Sequence, residues 1–330
     1  MRKLIWIISV IFALWSGYWV IGAYKTEKTL LETLEKYKTL GWAIDFSKLK
    51  VRGFPNRFDT TIENLNIISP EDNIGWSTPY FQILSLSYKP NHLIAIWPKE
   101  HELKIANNIL SIRNKKMQSS LIFKDLLFSE IDRIVLTTED FQLLSLEKVI
   151  LNTNALNIAL RQDQLFDDAY EIGVSVKNFF LPSFTNVHSD TLNITPLTLG
   201  LSVKIHLSKK TNFSANSYQG LRLTEININQ ADLSSNLFAV MLKGNIDINQ
   251  TGTPSGRIDI QIENLRELML QAININLLAS YDLDEIIKGL NFISKLSGDP
   301  KSLEFSIKIQ EGKMFIGPIP VGQIPNIILQ

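Results

Sequence analysis

The chain opens on Leu4 to Tyr24, a run of 21 positions without a charged side chain. At a helical rise of about 1.5 Å per residue, that run spans a hydrocarbon core of about 30 Å. It predicts a transmembrane signal anchor over residues 1–24, held in the bilayer by Leu4, Trp6, Trp15, Trp19 and Tyr24. Arg2 and Lys3 precede the run and favour a cytoplasmic N-terminus, with the rest of the chain outside. The alternative is a cleaved signal peptide, whose apolar region usually covers about 7–15 residues. This run is longer, and Val20-Ile21-Gly22 and Ile21-Gly22-Ala23 are poor small-residue cleavage sites. Gly17 and Gly22 are out of the Gly-x-x-x-Gly register of tight helix dimers. No later stretch reaches about 18 apolar residues, so a single span is expected.

From Lys25 to Leu40 the apolar positions Leu30, Leu31, Leu34, Tyr37 and Leu40 recur at helical spacing, and Gly41 follows as a stop. This predicts an amphipathic stalk helix over residues 25–41, its stripe packed on the domain or laid on lipid headgroups. After Trp42 the period changes from 3.6 to 2. Phe58, Thr60 and Ile62 alternate with charged or polar neighbours, and so do Leu156 to Leu160, Leu199 to Leu207, Ile258 to Ile262 and Leu303 to Ile309. One apolar and one wet face is the habit of antiparallel strands, whereas parallel sheets show continuous apolar runs. A hairpin is expected at Gln310-Glu311-Gly312-Lys313. Two helical segments are expected near the C-terminus: one through Leu265, Leu268, Met269, Ala272 and Ile273, with Asn274 to Leu278 equally readable as strand, and one opened by Asp282 and Glu285 and running to Ile293. The tail from Gly317 to Pro325 carries three prolines, so it is an edge or a strap, never a central strand.

An internal echo stands out. Gly53-Phe54-Pro55-Asn56 leads into Arg57-Phe58-Asp59-Thr60-Thr61-Ile62-Glu63-Asn64-Leu65, and Gly252-Thr253-Pro254-Ser255-Gly256 into Arg257-Ile258-Asp259-Ile260-Gln261-Ile262-Glu263-Asn264-Leu265. Six of the nine positions from Arg to Leu are identical. Convergence of two amphipathic strands after Gly/Pro turns and descent from one ancestral β unit both account for it. The predicted architecture is mainly β (α+β): anchor and stalk helix, then a large antiparallel domain over 42–330. That domain is a curved sheet or sandwich with a few C-terminal helices, divisible into related units of about 42–200 and 201–330.

Composition narrows the chemistry. Lys+Arg and Asp+Glu are each 33, so no basic surplus exists to neutralise a phosphate backbone, and nucleic acid is not expected as a partner. Cysteine is absent, which removes disulfides, thiolate metal sites and cysteine nucleophiles. His92, His101, His188 and His206 show no metal-ligand spacing, and His206 falls on the polar phase of its strand. P-loop, G-x-G-x-x-G and G-x-S-x-G motifs are missing, and Ser47-x-x-Lys50 lacks its partner motifs. The Asp167-Asp168-Glu171 and Asp282-x-Asp284 clusters read as a solvated turn and a helix cap, and Arg57 with Asp59 as a charge pair on one strand face. No enzymatic activity, cofactor or metal is expected.

What remains is a surplus of apolar strand faces with few helices to cover them. Those faces meet each other or line a groove, and an apolar groove shields acyl chains at about 0.8 kcal/mol per CH₂. Phe58, Ile62, Ile258, Ile260 and Ile262 are the candidate groove residues. The anchor, Gly41-Trp42, the block with Gly53, Phe54, Pro55, Arg57, Phe58 and Asp59, and the tail Gly317-Pro318-Ile319-Pro320-Val321-Gly322 together resemble an uncharacterised family of Gram-negative bacterial envelope proteins known only as a domain of unknown function. More distantly, the Gly-x-Pro-Ser-Gly-Arg strand start is similar to the AsmA-like envelope proteins, and that resemblance implies anchored, β-rich proteins of lipid homeostasis or transport. The expectation is a single-pass inner-membrane protein with its bulk in the periplasm. It binds or handles lipid in envelope homeostasis, with membrane lipids and other envelope proteins as partners. The alternative is a structural module that docks envelope proteins.

Overall fold

The computed structural model describes residues 1–71, 73–126, 130–180, 195–209, 220–274 and 302–328. Strands dominate, every pairing described below is antiparallel, and the chain divides into two units, Met1–Lys148 and Val149–Gln330. The stalk continues the apolar run: one helix, α1 (Arg2–Thr39), runs without a break through both. No Gly or Pro interrupts the residues between Tyr24 and Leu40, so the backbone ladder has no reason to stop at the end of the apolar run.

In the first unit α1 packs beside β1 (Ala43–Asp45), β2 (Lys48–Arg52) and β3 (Arg57–Ile68). β3 pairs along its length with β4 (Ile74–Leu86). The other edge of β4 carries β5 (Lys89–Trp97) and then β6 (Glu100–Ile105), two pieces of one interrupted strand. β8 (Lys116–Phe123) pairs with β5 and β7 (Asn108–Arg113) with β6, and β9 (Ile131–Ser145) pairs with both β8 and β7. The interruptions fall side by side: Asn64 at positive φ, Pro79, Pro98-Lys99, Asn114-Lys115 and Asp140 at positive φ. Proline cannot donate to a ladder, and Asn and Asp tolerate the left-handed region, so these residues crease the meander across its width. The core of this unit is Ile44, Leu49, Ile62 and Leu65, sealed by Leu30 and Leu34 of α1 with Trp42, Phe46, Trp76 and Phe81. Of the two roles open to the stalk stripe, Leu30 and Leu34 take the packing one.

The second unit is a meander: β10 (Lys148–Gln162), β11 (Ala169–Phe179), β12 (Leu197–Leu207), β13 (Leu223–Ser234), β14 (Ala239–Ile248), β15 (Pro254–Glu263), β16 (Ser302–Gln310), β17 (Lys313–Ile316) and β18 (Ile319–Gln323), each paired with the next. The hairpin between β16 and β17 turns on Glu311 and Gly312, both at positive φ, as a two-residue type I′ connection needs. The Pro-rich tail is both edge and strap. β18 pairs with β17, and beyond it the Ile324 and Ile327 amides donate to Gly312 O (2.7 Å) and Gly252 O (2.8 Å). Among the described residues the C-terminal part holds one helix, α2 (Leu265–Asn274), over the expected helical spacing; the strand reading of Asn274 to Leu278 lies, beyond Asn274, outside the described residues. The helix expected from Asp282 to Ile293 lies outside the described residues.

Gly244 and Ile258 face each other across β14 and β15, and a Cβ at Gly244 would overlap Arg257 O and stand 2.9 Å from the Ile258 Cα. Backbone cannot swing aside as a side chain does, so Gly244→Ala is expected to cost about 2–3 kcal/mol by forcing the strands apart. Gly173→Ala, whose Cβ has nothing nearer than 3.9 Å, is the control, with a melting temperature close to that of the parent chain.

Candidate functional site

Directly paired residues of an antiparallel sheet share a face, so the register of the second unit reads out its surfaces. One row runs Ile158, Val174, Leu201, Ala231, Leu242, Ile260 and Phe305 across seven strands without a polar residue. The row on one side is Leu156, Val176, Leu199, Leu233, Val240, Ile262 and Leu303; on the other it is Leu160, Ile172, Val203, Ile228, Gly244, Ile258 and Ile307. A bulge at Asn229-Gln230 in β13 keeps Ile226 and Ile228 on the same face as Ala231 and Leu233. One end of this face is closed by Ile246, Ile248 and Ile309, with tail residues Ile324 and Ile327 packed on them. The central row stays half-buried, and Ile158 is 37% exposed. At about 4.8 Å per strand, its six steps extend about 29 Å, roughly twice one leaflet of a hydrocarbon core.

The opposite face is polar and internally neutralised. Arg161 pairs with Glu171, and Lys204 reaches Asp163 at 2.5 Å. The Lys204 hydrogen bond, helped by the Leu165 and Phe166 amides, holds the Asp163 carboxyl down at about 2. A shallow cleft of about 410 Å³ on this face is lined by Lys243, Arg257, Asp259 and Ser306 among others. There Arg257 donates to Asp259 (2.7 Å) and Ser306 (2.7 Å), and Ser306 donates to Asp259 (2.5 Å). Arg257, Asp259 and Ser306 are thus spent on one another.

The structure separates the five groove candidates. Ile258, Ile260 and Ile262 lie side by side on the apolar face. Phe58 and Ile62 belong to the first unit and are 6% and 3% exposed, because α1 covers them. Gly22 sits so close to the Phe58 ring that a Cβ would stand 2.5 Å from it. That surface is occupied by the chain's own helix. The echo motifs share local geometry nonetheless: Gly53 and Gly252 have positive φ, as do Asn64 and Asn264, and the Arg–Asp pairs close at 3.0 Å and 2.7 Å. They part after Asn, where β3 resumes and α2 begins.

A second cleft, of about 610 Å³, lies over the crease of the first unit, lined by Asn64, Asn66, Thr78, His101, Arg113 and Glu147 among others. Asn114 Nδ2 donates to Pro98 O (2.9 Å), replacing a ladder bond that the interruption removes. Arg113 is paired with Glu100 (3.4 Å) and Glu147 (3.2 Å). His101 is 5% exposed, and its Nδ1 accepts from Trp76 Nε1 at 3.1 Å, which leaves the neutral ring's proton on Nε2, buried and without a partner. One nitrogen is taken and the other is sealed, so this imidazole is not placed to exchange protons with a molecule in the cleft. No linear signal marked it, since burial of a lone His follows from the crease. Among the described residues no group of three or more His, Cys, Asp or Glu is arranged to hold a metal ion.

Burial pushes the His101 imidazole down to about 4. The unfolded chain binds that proton near pH 6.5, so stability is fully present above 6.5 and falls as pH drops toward 4. Between pH 7 and pH 5 this group alone is expected to remove about 2 kcal/mol. Thermal unfolding of His101→Gln, which keeps an acceptor for Trp76, is expected to lose that part of the pH dependence; an unchanged profile refutes the assignment.

The family-like motif lies at the α1 contact. Trp15 Nε1 donates to Pro55 O (2.9 Å), Trp19 Nε1 to Arg57 O (2.8 Å) and Tyr18 OH to Ser87 O (2.6 Å). The Phe54 ring meets Phe12 and Trp19 edge-on, with centroids 6.1 and 5.4 Å apart. Leu4, Trp6 and Tyr24 are exposed at 61%, 73% and 68%. α1 is long and apolar enough to cross a membrane, with a mean hydropathy of 2.1 over its most apolar window.

Comparison with known proteins places residues 19–325 in one family, described as an uncharacterized protein conserved in bacteria (DUF2125), and the chain belongs to it. No curated protein and no solved structure matches.

Proposed function

We propose that this member of the DUF2125 family is a non-enzymatic protein anchored in the bacterial inner membrane by α1, which binds lipid acyl chains along the apolar face of its periplasmic second unit. The observation that carries the reading is the register: rows from seven strands align as an uninterrupted apolar surface whose centre is only half-buried. Apolar surface of that extent is unfavourable in water at roughly 25 cal/mol per Å², and a soluble domain rarely keeps it without a use. The similarity of Gly252 to Arg257 to the AsmA-like strand start points the same way, and Arg2 and Lys3 ahead of the apolar run support a cytoplasmic N-terminus. A second reading, docking of envelope proteins, draws on β18, an edge strand that leaves Ile319 62% and Val321 47% exposed.

The test is photo-crosslinking of the full chain in cells grown with labelled phosphate. A benzophenone side chain at Ile260 or Ile262 is expected to capture phospholipid, and one at Asp259 or Gln261 is expected not to. Capture with a period of two along β15 is the signature of a lipid on one face. Equal labelling at all four positions, or none, overturns the reading.

A further inference from the structure

The contact between α1 and the first unit falls in an unexpected place. Read as the span, Leu4–Tyr24 puts the outer edge of the hydrocarbon core near Tyr24. Trp19 then lies about 8 Å and Trp15 about 14 Å inward of it, where the midplane of a core of about 30 Å is roughly 15 Å inward. These are the residues that hold the β2–β3 turn, Gly53 to Asn56, and the β4–β5 turn, Ser87-Tyr88.

A turn in hydrocarbon must have its backbone satisfied by protein, at several kcal/mol per orphaned group. Here five carbonyls at and beside the turns are met in series. Gly53 O accepts from the Arg57 amide (2.9 Å), Pro55 O from Trp15, Asn56 O from the Ser87 amide (2.9 Å), Arg57 O from Trp19 and Ser87 O from Tyr18. Three of these five donors are aromatic side chains of the apolar helix, and Pro55 carries no amide hydrogen to satisfy. Of the side chains that the turns leave outside, Phe54 is 47% and Tyr88 67% exposed; Asn56 is exposed beside them, and the exposed Arg57 that follows is paired with Asp59 at 3.0 Å.

Charge follows the same axis. Phe58 packs at Gly22, whereas Ile62 lies in the cluster that Leu30 and Leu34 join. Lys50, paired with Thr61 between those two levels, therefore lies near the outer end of the span, with Arg52 one step inward and Lys48 one step outward. These three side chains share one face of β2, and Lys25 and Lys28 of α1 lie at a similar height. Across the ladder Glu63 faces Lys48, and Asp59, which also pairs with Arg57, faces Arg52; Lys50 has Thr61 opposite, and repulsion from Lys48 leads the causes that hold its ammonium below its ordinary value.

We infer that the tip of the first unit, the turns at Gly53–Asn56 and Ser87-Tyr88, is immersed beside α1 in the outer leaflet of the membrane, with Lys48, Lys50 and Arg52 on the anionic phosphates of its headgroups. The inference rests on α1 being a membrane anchor. It makes this unit a reader of the leaflet, seated at a fixed depth by its own helix.

The absence of cysteine makes the test clean. Single cysteines at Tyr88, Asn56, Ile8 and Ile109 carry nitroxide labels in the full chain, in nanodiscs of phosphatidylethanolamine with phosphatidylglycerol. Collision rates with oxygen and with a water-soluble nickel chelate report depth. Labels at Tyr88 and Asn56 are expected to favour oxygen several-fold over the label at Ile109, an exposed residue in the β6–β7 hairpin. The substitutions Lys48→Glu, Lys50→Glu and Arg52→Glu together are expected to move the Tyr88 label toward the aqueous value. Nickel access at Tyr88 and Asn56 equal to that at Ile109, with Ile8 shielded, overturns the immersion and leaves the anchor standing. Nickel access at Ile8 as well overturns the anchor and the immersion with it. An unmoved Tyr88 label in the triple variant overturns the headgroup contact.

Discussion

Ile62→Asp is expected to unfold the first unit. The side chain is 3% exposed within the Ile44, Leu49 and Leu65 cluster, under Leu30 and Leu34 of α1. A carboxylate there is placed among apolar side chains, so it is either buried charged or protonated at a raised pKa. Together with the lost apolar packing, the expected cost is about 5 kcal/mol, which matches the whole stability of many domains. Ile62→Val, which removes one methylene, is expected to cost about 1 kcal/mol. Limited proteolysis and circular dichroism of the full chain in detergent separate the outcomes. An Ile62→Asp chain that melts within a few degrees of the parent refutes the packing of α1 on β3.

Ile260→Asp is expected to fold and to lose its lipid. Ile260 is half-buried in the middle of the central row, flanked in register by Leu242 and Phe305. A half-buried carboxylate keeps part of its hydration and costs stability modestly, but an acyl chain laid over it must strip that hydration away. Phospholipid capture by a benzophenone at Ile262 is expected to fall about tenfold or more, the equivalent of about 1.4 kcal/mol of binding. Gln261→Asp, one residue along the strand but on the polar face, is expected to leave capture unchanged. A folded Ile260→Asp protein with undiminished capture refutes the groove.

The two substitutions differ because the same letters meet different surroundings. Phe58, Thr60 and Ile62 in β3 and Ile258, Ile260 and Ile262 in β15 follow the same alternation after a similar Gly-x-Pro turn, and both read as candidate groove in sequence. Alternation reports that a strand has an apolar face; it is silent on what meets that face. In β3 the cover is α1, whose Gly22 leaves room for the Phe58 ring. In β15 the neighbours are other strands with their apolar residues in the same register. Three of the strands that build the rows were not singled out. Ile172, Val174 and Val176 of β11 do alternate, but β13 breaks phase at Asn229-Gln230, and β14 has its pattern cut by Gly244. A bulge restores the face of β13 in space while erasing its period in the chain. The crease of the first unit was hidden for a related reason, since Pro79, Pro98 and Asp140 look like loop punctuation until pairing sets them side by side.

By itself, then, the sequence determined the elements whose cause is local. The helical apolar run from Leu4, the change of period after Trp42, the Glu311-Gly312 turn and the exclusion of the prolines after Gly317 from any central strand all follow from backbone and side-chain preferences within a few residues. Only the tertiary structure decided which apolar faces are covered and which remain. It closed Phe58 and Ile62 under α1, aligned seven strands into one surface, buried His101 and brought Trp15, Tyr18 and Trp19 to carbonyls far along the chain. Those outcomes depend on register and on contacts between distant segments, and a one-residue slip of register would turn every face over.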